Sequence, residues 1–242
     1  MSWKKTLPYF AWQSLLYARN LKGLLQIWRY RDRWSRSFDL GRNSVNDELP
    51  WLNFAAIDYL QQQPLADSKV FEFGGGGSTL FFCKKRADVT TVEDNAEWFK
   101  ILTNNVAGKG YQQWKGFFVQ PEPYTGNTKQ RLPENPEDFM SGGAGLGHLS
   151  YEQYARSIDP FPEAYFDIIL IDGRARPSCI QQAIPHLKPN GLLIVDNTER
   201  PYYLMRFSEI IAENFSVEMD TRGPVGYSPD FTGTTILRKK KG

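Results

Sequence analysis

The sequence predicts an α/β fold: a doubly wound, mainly parallel seven-stranded sheet with an antiparallel last strand, preceded by an N-terminal helical arm. Three observations predict it. From Lys69 onward, short β-branched or aromatic runs alternate with helical stretches, the pattern of a parallel sheet covered on both faces. Four glycines, Gly74–Gly77, follow the first of these strands at once and open a helix. The last two strand candidates, Val217–Met219 and Thr234–Leu237, have only a loop between them, which suggests an antiparallel edge hairpin.

The chain has 242 residues, 41% of them hydrophobic and 23% charged. A chain this long can bury roughly 70% of its unfolded surface, so it needs no staples. Two cysteines, Cys83 and Cys179, exclude a disulfide scaffold or a Cys-rich zinc module. They suit a reducing compartment, and a cytoplasmic location is expected. No run of 18 apolar residues exists, so no spanning helix is expected. Arg19 and Lys22 interrupt every candidate signal-peptide core. Residues 1–42 hold nine Lys/Arg against Asp32 and Asp39, a charge of +7, while the other 200 residues carry −5.

The chain divides into an arm, 1–64, and a Rossmann-like domain, 65–242. The arm reads as helix from about Pro8 to Trp28: Trp12, Leu15 and Leu16, then Leu21, Leu24, Leu25 and Trp28, follow helical spacing. Trp3 and Trp34 add to its aromatic content. A basic, Trp-rich amphipathic helix can lie on an anionic membrane. It can equally pack on the body or on the twin of a homodimer. It is not a nucleic-acid signal, because the body lacks a matching basic face. The Arg238–Lys241 end reads as a solvated tail.

Lys69–Phe73 is the first strand, and a helix follows from Ser78 to about Arg86. Asp88–Glu93 is the second strand, and Asn95 can cap the next helix. Phe117–Val119 is a short third strand, and Phe166–Ile171 a buried fourth. A helix opened by Pro177 ends at Leu187, strand Leu192–Val195 follows, and Tyr202–Phe215 reads as helix. Gln120–Tyr165 breaks the rhythm with six prolines and a glycine cluster, so an insertion of about 120–165 is expected, as a lid or a disordered loop. The aromatic residues Trp98, Phe99, Trp114, Phe117 and Phe118 read as core, and His186 as structural.

The glycine stretch is the most informative. Glycine lets backbone turn tightly and approach a ligand, and a helix N-terminus offers unpaired N–H groups. Glu93, 19 residues after Gly74, stands at the second strand's end, where an acid can accept both ribose hydroxyls. A dinucleotide loop needs a glycine at position 79, which is Thr79, and Glu72 is a poor neighbour for a pyrophosphate. A carboxylate such as Glu72 instead suits the cationic sulfonium of S-adenosylmethionine.

Glu72-Phe-Gly74-Gly75-Gly76-Gly77 resembles the first motif, acid-x-Gly-x-Gly, of class I S-adenosylmethionine-dependent methyltransferases, and the resemblance covers roughly residues 65–238. It implies strand order 3-2-1-4-5-7-6 with strand seven antiparallel. It implies that Gly74, Gly75 and Gly76 lie under the cofactor's methionine part, that Glu93 binds the ribose, and that Asp94 and Asn95 lie beside the adenosine. Val119 and Gln120 would approach the adenine. Ser78 stands where many members have a third glycine, leaving a hydroxyl for the cofactor, with Thr79 beside it. Asp172 would also meet the cofactor.

The fourth strand ends in Asp172-Gly173-Arg174-Ala-Arg176 and the fifth in Asp196-Asn197. Asp172, Asp196 and Asn197 resemble the Mg²⁺ ligands of catechol-type O-methyltransferases, where the metal lowers the pKa of the attacking hydroxyl. The competing readings are contact with the cofactor or Arg174 for Asp172 and helix capping for the other two. Arg174, Arg176 and Arg200 suit an anionic substrate. Asp172 and His148 are the candidate proton acceptors, with Arg174 beside them in the catalytic set. No Asn-Pro-Pro-Tyr-like motif follows the fourth strand, which tilts the acceptor toward oxygen. The expectation is O-methylation of a small hydroxylated or anionic molecule. An NAD-dependent oxidoreductase and a non-catalytic S-adenosylmethionine-binding protein are the alternatives.

Overall fold

The computed structural model describes residues 5–143 and 145–241, so Trp3 and Lys4 of the arm lie outside the described residues. Two helices, α1 (Leu7–Tyr17) and α2 (Leu21–Trp28), replace the single arm helix that the spacing predicts. Ala18 is extended, and the Asn20 side chain caps α2 by accepting from Gly23 N at 2.8 Å, which ends one helix and starts the next. Then come α3 (Arg31–Arg36), α4 (Ser44–Asp47) and α5 (Phe54–Gln61).

The body runs β1 (Lys69–Phe73), α6 (Gly77–Lys84), β2 (Asp88–Glu93), α7 (Ala96–Gly108) and β3 (Trp114–Phe118). The insertion carries a short ribbon, β4 (Glu122–Pro123) with β5 (Leu149–Ser150), and helix α8 (Glu152–Ala155). The chain ends with β6 (Phe166–Ile171), α9 (Arg176–His186), β7 (Leu187–Asp196), α10 (Ser208–Asn214), β8 (Phe215–Gly223) and β9 (Thr232–Lys239). Two 3-10 turns, Pro201–Tyr203 and Met205–Phe207, stand where a continuous helix is predicted before α10.

The main sheet has the order β3-β2-β1-β6-β7-β9-β8. The first five strands are parallel, and β9 runs antiparallel to both β7 and β8. In chain order this is 3-2-1-4-5-7-6, so the seventh strand lies inside the sheet and the sixth forms the edge. The Arg238–Lys241 run is therefore no free tail at its start. Arg238 pairs with Glu218 at 3.1 Å, and Lys239 Nζ donates to the carbonyls of Ile184 and Leu187.

Strand side chains alternate between two cores. Val70, Ile168, Leu170 and Ile194 face one side, with Phe10, Trp34, Leu52 and Phe82. Phe71, Ile169, Ile171 and Val195 face the other, with Tyr151, Tyr154 and Ile180. The arm thus covers one face of the sheet and the insertion helps cover the other. Trp34 is fully buried, stacks on Phe10 at 5.0 Å and donates to Ser228 O at 3.0 Å. The insertion is built around Arg131, whose buried guanidinium donates to the carbonyls of Asp138, Phe139, Gly147 and Leu149. Of the aromatic residues predicted as core, Phe117 and Phe118 are exposed on the edge strand β3.

Candidate active site at the strand ends

Parallel strands β1 and β6 are neighbours from which the sheet is wound in opposite directions, and such a switch point opens a crevice at the strands' C-terminal ends. A cavity of about 630 Å³ lies there, lined by the ends of β1, β2, β6 and β7 and by Ser141 and Gly142 of the insertion.

The glycine bend forms its floor. Gly74 has φ +89°, and a Cβ on it would meet the backbone of Gly173 at 2.9 Å, so the ends of β1 and β6 approach only as glycines. A Cβ on Gly77 would lie 2.1 Å from Leu49 O and 2.4 Å from Ser44 O, which ties the loop to the α4 segment of the arm. Gly76 faces the cavity, where a Cβ would meet only Trp98 at 3.5 Å.

Glu72 lies beneath this loop and does not line the cavity. Its Oε2 accepts from Thr79 Oγ1 at 2.7 Å and from Thr91 Oγ1 at 2.9 Å, while Oε1 is buried without a partner. Burial pushes its carboxyl up to about 7, against the hydroxyls of Ser78, Thr79 and Thr91. Thr79 Oγ1 in turn accepts from Gly76 N at 3.1 Å. Glu72 and Thr79 therefore shape the loop from behind, whereas Gly74, Gly75, Gly76 and Ser78 line the cavity.

Glu93 ends β2 and accepts from the N–H groups of Gly75 (3.1 Å), Asp94 (3.1 Å) and Asn95 (3.0 Å). A carboxylate can accept about four bonds, so one site is left for a ligand. Burial raises its pKa, and those three donors oppose the rise. Asp94 lines the cavity too, 3.5 Å from Arg174 Nε. Trp98, expected in the core, instead lines the cavity and donates Nε1–H to Gly75 O at 2.7 Å. Its place one turn after the Asn95 cap is the signal that could have found it. Nothing local marks Trp51, Ser44, Ser141 or Tyr203, which also line the cavity.

Arg176 decides the other wall. Its buried guanidinium donates from Nη2 to Asp172 Oδ1 and Asp172 O, both at 2.9 Å. Nη1 donates to Asn197 Oδ1 at 2.9 Å and to Asp196 O, and Nε to Gly173 O at 3.2 Å. All five N–H directions of an arginine are thereby used, which closes the ends of β6 and β7 together. Asp196 is buried and accepts from Thr234 Oγ1 at 2.7 Å. Burial raises the carboxyls of both Asp172 and Asp196, and Asp172 repels Asp196 further.

The structure does not support the magnesium site expected at Asp172, Asp196 and Asn197. The donor atoms of Asp172 and Asn197 face a guanidinium, so a divalent cation would have to displace a bound positive charge. Among the described residues no group of three His, Cys, Asp or Glu could hold a metal. Arg176 is likewise not free for a substrate, whereas half-exposed Arg174 and Arg200 both line the cavity. Arg200 donates to Tyr203 Oη at 2.8 Å. Two further candidates are not brought into the site: His148 and Gln120 are exposed and line no part of it.

No protein-family model matches the sequence, and no curated protein does. Solved structures do match the fold. A Klebsiella pneumoniae protein assigned as an O-methyltransferase aligns with TM-score 0.56 at 17% identity, over 90% of this chain and 99% of that one. The O-methyltransferase from Bacillus cereus, in complex with S-adenosylhomocysteine, aligns with TM-score 0.55 at 17% identity, over 86% and 96%. Cofactor-bound Rv0187 from MTB aligns with TM-score 0.54 at 16% identity, over 87% and 96%. The chain has the Rossmann-like fold of class I S-adenosylmethionine-dependent methyltransferases.

Proposed function

We propose that this protein is an S-adenosylmethionine-dependent methyltransferase acting on oxygen of a small hydroxylated or anionic molecule. The observation that carries this reading is the cavity at the β1/β6 switch point, with a side-chain-free glycine floor and two carboxylates, Glu93 and Asp94, at the end of β2. Such a donor set suits a ribose diol and an aminoacyl chain. The fold likeness to cofactor-bound O-methyltransferases supports it.

Bound S-adenosylmethionine would supply an electrophilic methyl group on a sulfonium. The protein's own residues would do the rest. Glu93 and Asp94 accept from the ribose hydroxyls, and Gly75 and Gly76 let the backbone come close. Arg174 and Arg200 hold an anionic acceptor beside the loop. Asp172, whose Oδ1 is held by Arg176, would take the acceptor's hydroxyl proton on its other oxygen. Orientation of the two reactants can account for roughly 7–11 kcal/mol of the barrier.

Calorimetric titration tests the reading. S-adenosylhomocysteine should bind and NAD(H) should not. Binding of NAD(H) alone would make the protein an oxidoreductase. Binding without methyl transfer from labelled S-adenosylmethionine to any of a panel of hydroxylated and carboxylated acceptors would leave a binding protein.

A further inference from the structure

The first two helices bury some apolar side chains and turn others outward. On α1 the buried residues are Tyr9, Phe10, Gln13 and Ser14. Gln13 is polar but satisfied: Nε2 donates to Pro229 O at 2.7 Å and Oε1 accepts from Phe231 N at 2.9 Å. The opposite side carries Trp12, Leu15 and Leu16 into solvent. On α2 only Ile27 is buried. Leu15, Leu21 and Leu25 are 68%, 72% and 64% exposed. Single exposed leucines are ordinary, but five large apolar residues between positions 12 and 25 mark a contact surface.

The charge around them identifies the partner. Residues 1–42 carry +7, and Arg19 and Lys22, between the two stripes, are both exposed. Beside them opens a cavity of about 400 Å³, lined in part by Tyr17, Arg19, Lys22 and Arg222. The Arg222 guanidinium lies 3.7 Å from the centre of the Tyr17 ring, and its Nε is buried without a hydrogen-bond partner, as is Thr221 Oγ1 next to it. Asp220, the acid of that wall, is already engaged by Arg19 at 3.4 Å.

We propose that α1 and α2 seat the protein on an anionic lipid surface. Trp12 and the exposed leucines enter the boundary between headgroups and acyl chains, while Arg19, Lys22 and Arg222 meet lipid phosphates. No helix among the described residues is long and apolar enough to cross a membrane, so the contact is peripheral. A second copy of the chain suits this face less well, because stacking it on its twin brings the exposed Arg19 and Lys22 of both copies together. The inference is independent of the proposed methyl transfer.

Deleting the arm would take Phe10 and Trp34 from the core, so point substitutions of the whole chain are the test. The protein is centrifuged with vesicles of phosphatidylcholine alone or mixed with phosphatidylglycerol. It should pellet with the mixed vesicles only, and less as salt rises. Arg19→Glu with Lys22→Glu should weaken partition by at least about fivefold for each basic residue lost. Leu15→Glu with Leu25→Glu should abolish pelleting with the circular dichroism spectrum unchanged. Absence of pelleting at low salt, or pelleting indifferent to both variants, overturns the proposal. So does a dimer, seen by light scattering, that Leu15→Glu with Leu25→Glu converts to monomer while vesicle binding is absent.

Discussion

The Nη2 group of Arg176 donates to both the side-chain Oδ1 and the main-chain carbonyl of Asp172, each at 2.9 Å, from the first turn of the helix that Asp172 precedes. The same guanidinium reaches Asn197 on the neighbouring strand end. A single side chain thus fastens the two strand ends that form one wall of the cavity.

Arg176→Ala should therefore destabilise the protein by about 3–5 kcal/mol, since it strands buried Asp196 and partly buried Asp172 without their cation. The midpoint of urea unfolding measures this. Magnesium should leave the wild-type midpoint unmoved and raise that of Arg176→Ala, where the three oxygen donors are released. A magnesium-dependent rise in the wild type would contradict the reading of Arg176.

The four glycines are not equivalent, and alanine substitution separates them. Gly77→Ala drives a methyl group into the carbonyls of Leu49 and Ser44 and should cost about 1–3 kcal/mol or more. Gly76→Ala meets only Trp98 at 3.5 Å, so it should melt near the wild type while losing affinity for S-adenosylhomocysteine. Thermal melts and calorimetry of the pair give the answer.

Stability should fall as pH rises from about 4.5 to 7. Glu72 has its carboxyl raised from 4.5 to about 7 by burial, so in that window the native state holds a proton that the unfolded chain has released. The favourable contribution is complete below the unfolded value and gone above the folded one. Its size is at most on the order of 3 kcal/mol. Asp172 and Asp196, also raised by burial, act in the same sense. Glu72→Gln should consequently reduce the slope without abolishing it, as read from urea midpoints at several pH values. A slope identical to the wild type would mean that Glu72 is ionised throughout.

Asp94 and Arg174 divide cofactor from acceptor. Asp94→Asn should weaken S-adenosylhomocysteine binding by about tenfold, the loss of one charged hydrogen bond, with little change in melting temperature. Arg174→Ala should leave that binding nearly intact and raise KM for a carboxylated acceptor while kcat holds. If both substitutions affected only cofactor binding, Arg174 would belong to the cofactor site.

Much of the fold is legible because local pattern encodes it. KVFEF, DVTTVE and FDIILI alternate or bury in the way strands must, and β1, β2 and β6 have the predicted bounds. In the insertion only Tyr151–Ile158 reads as helix, where α8 and a 3-10 turn lie; the prolines and glycines before it hide the burial of Phe139 against the sheet. The α1 stripe misleads in the opposite direction. Trp12, Leu15 and Leu16 have the spacing of a core face, yet Gln13 and Ser14 point inward because Pro229 O, Phe231 N and Phe10 O satisfy them.

By itself the sequence determined the strand–helix alternation, the glycine bend after β1 and the acid at the end of β2, since each is set by residues a few positions apart. Only the tertiary structure decided that Arg176 stands where a metal was expected, that Glu72 supports the loop from behind, and that the arm presents leucines to solvent. Those outcomes depend on which polar partners meet in space, from 4 positions apart at Asp172 and Arg176 to 218 at Gln13 and Phe231, and no local period records such meetings.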